Sequence, residues 1–175
     1  MRKKNTLTFL LTVTTLFFSN CRKDFSEQRS QTGANTISAR VNGQVWKKKG
    51  CFSCISGGSS LIVDYSNGNL YIMGQQGDEN MRSTLEIVLN HATKLGNYSL
   101  AQEINDNNYA EYVDYTLRDA KYFITSTINN GSVTITKLDR ENKIISGTFS
   151  IAVENRDNAA EIIKITEGAF DVKIP

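Results

Sequence analysis

Residues 145–153 read Ile-Ser-Gly-Thr-Phe-Ser-Ile-Ala-Val and contain the clearest alternation of apolar and polar side chains in the chain. Successive side chains of a β-strand point to opposite sides, so a period of two gives one buried face and one solvated face. The apolar set is Ile145, Gly147, Phe149, Ile151 and Val153, and the polar set is Ser146, Thr148 and Ser150. The stretch therefore predicts an antiparallel strand.

The same short alternation recurs from residue 36 onward, with turn residues between the runs. Asn-Gly pairs at 42–43 and 67–68 favour two-residue hairpin turns, because both positions tolerate positive φ. Two further hairpins are predicted. One turns at 129–131, between strands 122–128 and 133–135, and the other turns at 139–142.

After the N-terminal segment, no stretch of the sequence has apolar residues at the spacing of a helical face. Tyr109, Tyr112 and Tyr115 are spaced three apart, but Val113 and Leu117 do not complete an apolar helical face. We predict an all-β fold, an antiparallel meander of about nine or ten strands. Such a meander forms either a lipocalin-like barrel or a two-sheet sandwich.

The N-terminus has the pattern of a lipoprotein signal peptide over residues 1–20. Basic residues at 2–4 precede an apolar run at 7–18 that is too short to span a bilayer. The residues before Cys21 are similar to a lipobox, which predicts cleavage there and lipidation of Cys21. Two alternatives are an ordinary secretory signal cut near Ser19 and a retained anchor, which the threonines of the run disfavour.

Residues 21–35 are polar and lack apolar periodicity, so they predict a flexible tether between the lipid and one β domain at 36–175. The charged start of this tether, Arg22-Lys23-Asp24, partly resembles the export signals of Bacteroidetes surface lipoproteins. We expect a lipid-anchored protein of the outer membrane in the cell envelope. The resemblance slightly favours surface display over an orientation toward the periplasm.

Charge gives no reason to expect a nucleic-acid partner. The chain has 20 basic and 18 acidic residues, and removing Arg2, Lys3 and Lys4 with the signal leaves 17 against 18. The mature chain is thus nearly neutral, whereas nucleic-acid binding needs a basic surface. Its largest basic cluster, the three lysines at 47–49, is interpreted as a solvated turn.

Five segments carry a family resemblance: 41–43 with Trp46, 95–100, 131–139, 145–149 and 167–172. They resemble a family of small Bacteroidetes lipoproteins classed as a domain of unknown function. The resemblance covers nearly the whole mature domain and implies a secreted, lipidated all-β domain. It brings no activity, cofactor or catalytic residue.

Cys51 and Cys54 are the two cysteines left after Cys21, and in an envelope protein they favour a structural disulfide that closes a short loop. A thioredoxin-type redox pair would need a helix N-terminus, which nothing here predicts. A zinc site would have to recruit His91 and a carboxylate from elsewhere. Free thiols are the remaining alternative, and we expect no metal and no cofactor.

Catalytic motifs are not apparent around His91. The sequence contains neither a Gly-x-Ser-x-Gly elbow nor a His-Glu-x-x-His motif, so we interpret His91 as a solvated loop residue rather than a general base. The segment 103–109 is rich in oxygen ligands but does not have the spacing of an EF-hand. It is interpreted as an Asx-rich turn rather than a calcium site.

Aromatic residues supply the remaining weak candidates for a binding site. Trp46, Tyr109, Tyr112 and Tyr115 could line a platform for a sugar or peptide, or they could pack in the core and on the sheet. If a barrel closed, its mouth would suit a small apolar ligand.

Two functions are therefore carried forward. The first is a non-catalytic lipoprotein that binds a small ligand or a partner protein at the outer membrane, marked by a cavity or an aromatic patch outside the core. The second is a structural role in assembly, in which the domain docks on an outer-membrane protein and has no ligand pocket. An exposed apolar patch without concavity would favour the second. An enzyme ranks third, because no recognisable spacing places catalytic residues.

Overall fold

The computed structural model describes residues 30–52, 58–77, 82–102 and 106–175. The strands in these ranges form one antiparallel sheet curled into a half-barrel, which confirms the all-β prediction. Eleven strands lie in the described ranges, more than the sequence predicts. They are β1 (Thr36–Val41), β2 (Gln44–Lys47), β3 (Leu61–Ser66), β4 (Asn69–Gly77), β5 (Arg82–Leu89), β6 (Gly96–Leu100), β7 (Tyr109–Asp114), β8 (Lys121–Ile124), β9 (Gly131–Asp139), β10 (Ile144–Asn155) and β11 (Ile162–Lys173).

The two Asn-Gly pairs form the hairpin turns that the sequence predicts. Asn42 and Gly43 have φ values of 48° and 82° and join β1 to β2, while Asn67 and Gly68 have 53° and 83° and join β3 to β4. Positive φ at both central residues is typical of a type I′ turn, whose twist matches that of the paired strands.

The hairpin predicted at 129–131 is wrong, because β8 and β9 do not pair. β8 pairs with β7 and with the end of β10, whereas β9 pairs with β10 and β6. The backbone amides of Ser126 and Ala152 donate to the carbonyls of Asn129 and Asn130, so the loop is held against β10. The meander is also interrupted at β6, since β5 pairs directly with β7.

Strand β10 joins the two halves of the sheet. Its residues from Ile144 to Ile151 pair with β9, and Glu154 and Asn155 at its end pair with β8. Its opposite edge pairs with β11. The predicted inward face is confirmed here, since the apolar side chains of 145–153 lie in the core. Ser146, which the sequence places on the solvated face, is instead buried, and its hydroxyl donates to Asp171 Oδ1 at 2.8 Å. One twelve-residue strand therefore spans both parts of the half-barrel.

The curl brings β2, at one end of the strand order, against β4 and β5. Trp46 of β2 is fully buried and its Nε1 donates to Ser83 Oγ of β5 at 2.9 Å. Gly74 of β4 leaves room for this ring, because a Cβ there would lie 3.0 Å from Trp46 Cη2 and 2.6 Å from Ile37 Cγ2. The tryptophan thus closes the core across the two parts of the sheet.

The described core lies wholly between Ile37 and Ile174, so a chain that begins at Arg22 retains all of its buried apolar residues. In the part of the chain that the structure describes, no helix has the length and apolarity needed to cross a bilayer. Residues 1–29, which include the predicted signal peptide and Cys21, lie outside the described ranges.

Residues 30–35, which the sequence places in the tether, are held against the domain. The buried Asp171 carboxylate of β11 accepts hydrogen bonds from the amides of Thr32, Gly33 and Ala34 and from the Ser30 hydroxyl. Burial alone would raise the pKa of this carboxyl, but hydrogen bonds from Ser30, Ser146, Gly33 and Ala34 lower it to about 2. The ordered domain thus extends at least to residue 30.

Candidate binding surfaces

The structure separates the four aromatic residues that the sequence singles out. Trp46 and Tyr112 lie in the hydrophobic core, with 0% and 4% of their surface exposed. Tyr109 and Tyr115 are half-buried and lie on the opposite, outward side of the sheet. The alternation of β7 explains the separation, since Tyr109 and Tyr112 are an odd number of residues apart. The four residues therefore do not form one platform.

Two further tyrosines lie on the outward side beside Tyr109 and Tyr115. In the cross-strand register, Tyr71 and Tyr109 are both opposite Val88, while Tyr122 is opposite Val113. We call this surface the tyrosine face. It consists of Tyr71, Tyr109, Tyr115 and Tyr122 with the apolar side chains of Ile62, Met73, Val88 and Ile124. The tyrosine face spans β3, β4, β5, β7 and β8.

One carboxylate holds two of these tyrosines in place. The hydroxyls of Tyr71 and Tyr109 donate to the two oxygens of Glu86, at 2.9 Å and 3.2 Å. Burial and then the negative charge of Glu86 raise the pKa of the Tyr71 hydroxyl, so it stays protonated and continues to donate. These bonds restrict both rings before any partner arrives.

The segment after β2 forms one border of the tyrosine face. The rings of Phe52 and Tyr115 are 5.1 Å apart and tilted by 56°, an arrangement that aromatic pairs favour. Burial and then Tyr122 raise the pKa of the Tyr115 hydroxyl. Beside this border the outward Val113 is buried, whereas Tyr122 of β8 and Ile62 of β3 are 42% and 46% exposed. The most accessible residues of the tyrosine face thus lie on its two outer strands, which β4, β5 and β7 separate.

Acidic groups lie among the tyrosines. Glu86 and Glu111 are cross-strand neighbours, and Asp64 is opposite Tyr71. Glu111 forms an ion pair with Arg156, which follows β10. The tyrosine face thus combines aromatic rings with carboxylates and one arginine.

Cys51 lies at the same border, with its Sγ 3.1 Å from Gln75 Oε1 of β4. Cys54, its predicted disulfide partner, falls in 53–57 and lies outside the described residues. The disulfide therefore stays a prediction. The neighbouring backbone is fixed by β4, because Lys49 N donates to Gln75 O at 2.9 Å and Gly77 N donates to Lys49 O at 2.6 Å.

A second candidate surface, which is concave, lies where the half-barrel stays open, between the start of β3 and the end of β11. This cleft has a volume of about 460 Å³. Leu61, Val63 and Ile174 line it with apolar side chains, while Lys48 and Lys173 contribute two cations. We call it the lysine cleft. It is separate from the tyrosine face, since Leu61 and Val63 face the inside of the curled sheet.

The other chemical candidates have structural roles. His91 is exposed in the loop after β5, where its amide donates to Asn69 Oδ1 at 3.0 Å. In the segment 103–109, interpreted as an Asx-rich turn, Asn108 Oδ1 accepts a hydrogen bond from the Asn90 amide at 2.7 Å. Residues 103–105 of this segment lie outside the described ranges. Within the ranges described, no three His, Cys, Asp or Glu side chains gather as metal ligands would.

The sequence analysis missed Tyr71, Tyr122 and Ile62 as surface residues. A signal was present, because Tyr71 and Ile62 occupy the outward parity of their predicted hairpin, opposite to the apolar Leu70 and Val63. What the sequence could not supply is the pairing of β5 with β7, which places Tyr109 beside the hairpin. That pairing passes over β6, so the spacing of residues along the chain does not reveal it.

The fold and these two surfaces define an all-β half-barrel domain with candidate binding sites on its outer side and at its open seam. The family model of a domain of unknown function, DUF6252, matches residues 33–175, and the chain belongs to this family. A search of curated proteins and a search of solved structures each found no match. The family description assigns no activity.

Proposed function

We propose that the chain is a non-catalytic lipoprotein of Bacteroidetes type, anchored in the outer membrane through lipid on Cys21, that binds a partner protein through the tyrosine face. The observation that carries the proposal is an aromatic patch outside the core. One outward sheet surface contains Tyr71, Tyr109, Tyr115 and Tyr122. These four residues are separate from the aromatic residues of the core.

The composition of the tyrosine face fits a protein partner. Tyrosine, methionine and arginine are enriched in protein interfaces, and the face offers all three. Tyr71 and Tyr109 are already held by Glu86, so binding costs little side-chain entropy. The exposed Ile62 and Tyr122 give a partner apolar area to cover.

The charges on the tyrosine face indicate what the partner surface carries. Asp64, Glu86 and Glu111 place carboxylates among the aromatic rings, with Arg156 beside Glu111. Complementary interfaces pair opposite charges. We therefore propose a partner surface with exposed lysine or arginine side chains around an apolar centre.

A second candidate function uses the same surface. In it the domain is a structural component that packs permanently on an outer-membrane protein and binds no ligand. The observation favouring it is that the tyrosine face lies on the outside of the curled sheet and not in a concavity. The two candidates differ in whether the contact is exchangeable or permanent.

Photo-cross-linking in the native cell tests the tyrosine face. A photoreactive phenylalanine analogue placed at Tyr122 or Ile62 should give one discrete adduct with an outer-membrane protein. The matched control is the analogue at Thr148, an exposed residue on the outward side of β10. The same adduct at Thr148, or none at Tyr122 and Ile62, would refute the proposal. Since the adduct is covalent, the two roles are separated without irradiation: a complex that stays intact through solubilisation and washing of unirradiated cells would favour the structural role.

The lipid anchor is tested separately, so that its failure does not affect the binding proposal. Cells fed a labelled fatty acid should label the wild-type protein and should not label Cys21→Ser, which retains the rest of the chain. Equal labelling of both proteins, or of neither, would refute lipidation at Cys21. An outer-membrane location is expected for the labelled protein by density fractionation.

A further inference from the structure

We propose that the lysine cleft binds an anionic amphiphile, a small molecule with a carboxylate or phosphate head and an acyl chain. The cleft combines two cations with an apolar floor in one concavity of about 460 Å³. This volume lies within the usual range of small-molecule sites, roughly 300 to 1,000 Å³. The inference is independent of the tyrosine face.

Both lysines reach the cleft from the same side of the seam, because β2, β1 and β11 are consecutive in the sheet and β3 stands across from them. Lys48 follows β2, and its amide donates to the Ile37 carbonyl at 3.1 Å. Lys173 ends β11, and its amide donates to Asn35 Oδ1 at 2.8 Å. Both backbones are therefore anchored at the opening that the two residues line.

The charge balance of the cleft favours an anion. Among the described residues that line it, no side chain is acidic, and the α-carboxylate of a chain that ends at Pro175 is the one carboxylate in the lining, so the two lysines leave a net positive charge. A net positive charge in a concave site attracts an anionic head group, and the lysines can bind it with charge-assisted hydrogen bonds. The lysines at 47–49, interpreted from sequence as a solvated turn, thus include one residue with a candidate role.

The floor of the cleft favours an acyl chain behind the anionic head. Leu61 and Val63 occupy the inward parity of β3, and Ile174 follows β11 from the other side. β3 stands at the end of the strand order, so one of its edges has no neighbouring strand in the described sheet. The half-buried Val63 keeps apolar area that a chain of methylene groups can cover.

Calorimetric titration of the chain from Arg22 to Pro175 tests the proposal with three probes of equal chain length. Dodecanoate and dodecyl phosphate should bind, and dodecanol should bind at least about tenfold more weakly, because one charge-assisted contact contributes about that factor. A preference between the two anions would identify the head group. No binding of either anion, or equal binding of dodecanol, would overturn the proposal.

Lysine variants locate the binding. Lys48→Gln and Lys173→Gln should each weaken dodecanoate binding by about tenfold, since each removes one charge-assisted contact. The control is Lys94→Gln, an exposed lysine in the loop after β5, which should bind like the wild type. Equal weakening in the control, or wild-type binding by both cleft variants, would refute the site. Unchanged midpoints of urea unfolding would show that the variants are folded.

Discussion

Asp171 shows how one buried carboxylate sets the start of the domain. Its side chain is fully buried and accepts five hydrogen bonds, three from the amides of Thr32, Gly33 and Ala34 and two from the hydroxyls of Ser30 and Ser146. A buried charge is tolerated only when it is well paired or hydrogen-bonded. The segment before β1 supplies most of that compensation, so it is part of the folded unit.

Replacing Asp171→Asn should lower the free energy of unfolding at pH 7 by about 2 kcal/mol, because the carboxylate's hydrogen bonds depress its pKa by roughly two units. The pKa is lower in the folded state than its ordinary value of 3.8. The stabilisation is therefore complete above about pH 4 and is lost as the pH falls toward 2. Urea unfolding from pH 2 to 7 measures it.

The control for this experiment is Asp119→Asn, an exposed residue between β7 and β8. It should change stability by less than about 0.5 kcal/mol at any pH. A difference between Asp171→Asn and wild type that stays constant from pH 7 to pH 2 would contradict the assigned cause.

At the scale of elements, β10 depends on close packing against both of its neighbours. Gly147 lies where a Cβ would be 2.6 Å from the Thr134 carbonyl oxygen of β9 and 2.6 Å from Phe170 Cζ of β11. The backbone oxygen cannot move without disturbing the β9–β10 ladder. Glycine is therefore required at this position by contact, although its alternation with Ile145 and Phe149 resembles that of an ordinary apolar residue.

Replacing Gly147→Ala should destabilise the domain by about 2 kcal/mol, the usual cost of overpacking a tight core. The matched control is Thr148→Ala, the exposed neighbour on the same strand, which should cost less than about 1 kcal/mol. Urea unfolding of both variants measures the difference. Equal stability of the two variants would show that the sheet adjusts at Gly147 without cost.

The segment after β2 carries the second prediction at this scale. Cys51 is positioned at the border of the tyrosine face by the bonds of Lys49 to β4. We expect Cys51 and Cys54 to form a disulfide in protein purified from an oxidising compartment. Its intact mass should be about 2 Da lower than after reduction, since one disulfide replaces two thiol hydrogens. Equal masses, or alkylation of both cysteines without reductant, would contradict the pairing.

Local and non-local pairings differ in how well the sequence predicts them. The turns at 42–43 and 67–68 depend on two adjacent residues whose backbone preferences are intrinsic, so they were predictable. The turn residues at 129–131 have a similar composition, yet the strands on either side of them do not pair with each other. β8 pairs with the end of β10 instead. Composition identifies where a chain turns but does not identify which strand it meets afterwards.

For the whole molecule, residues 30–35 should behave as part of the domain. A chain beginning at Thr36 should be less stable than one beginning at Ser30 by about 2 kcal/mol or more, because the Asp171 carboxylate loses four of its donors. In the shorter chain, Asp171→Asn should cost much less than in the longer chain, since the two changes remove the same interactions. Additive effects in this double-mutant cycle would contradict the coupling.

The two candidate surfaces also belong to this scale. The tyrosine face forms because β4, β5, β7 and β8 are neighbours in the sheet. The lysine cleft forms because the sheet curls without closing completely. They lie on opposite sides of β3, with Ile62 facing one and Val63 the other. Variants in one surface are therefore expected to leave binding at the other unchanged.

By itself, the sequence determined the β class, the inward face of 145–153 and the two Asn-Gly turns, because alternation and positive φ are properties of neighbouring residues. Only the tertiary structure decided that Tyr112 lies in the core while Tyr71 and Tyr122 lie outside it, and that Lys48 and Lys173 share one cleft. These placements depend on which distant strands pair. Strand pairing is chosen by the packing of the entire core, and no short stretch of the chain contains that information.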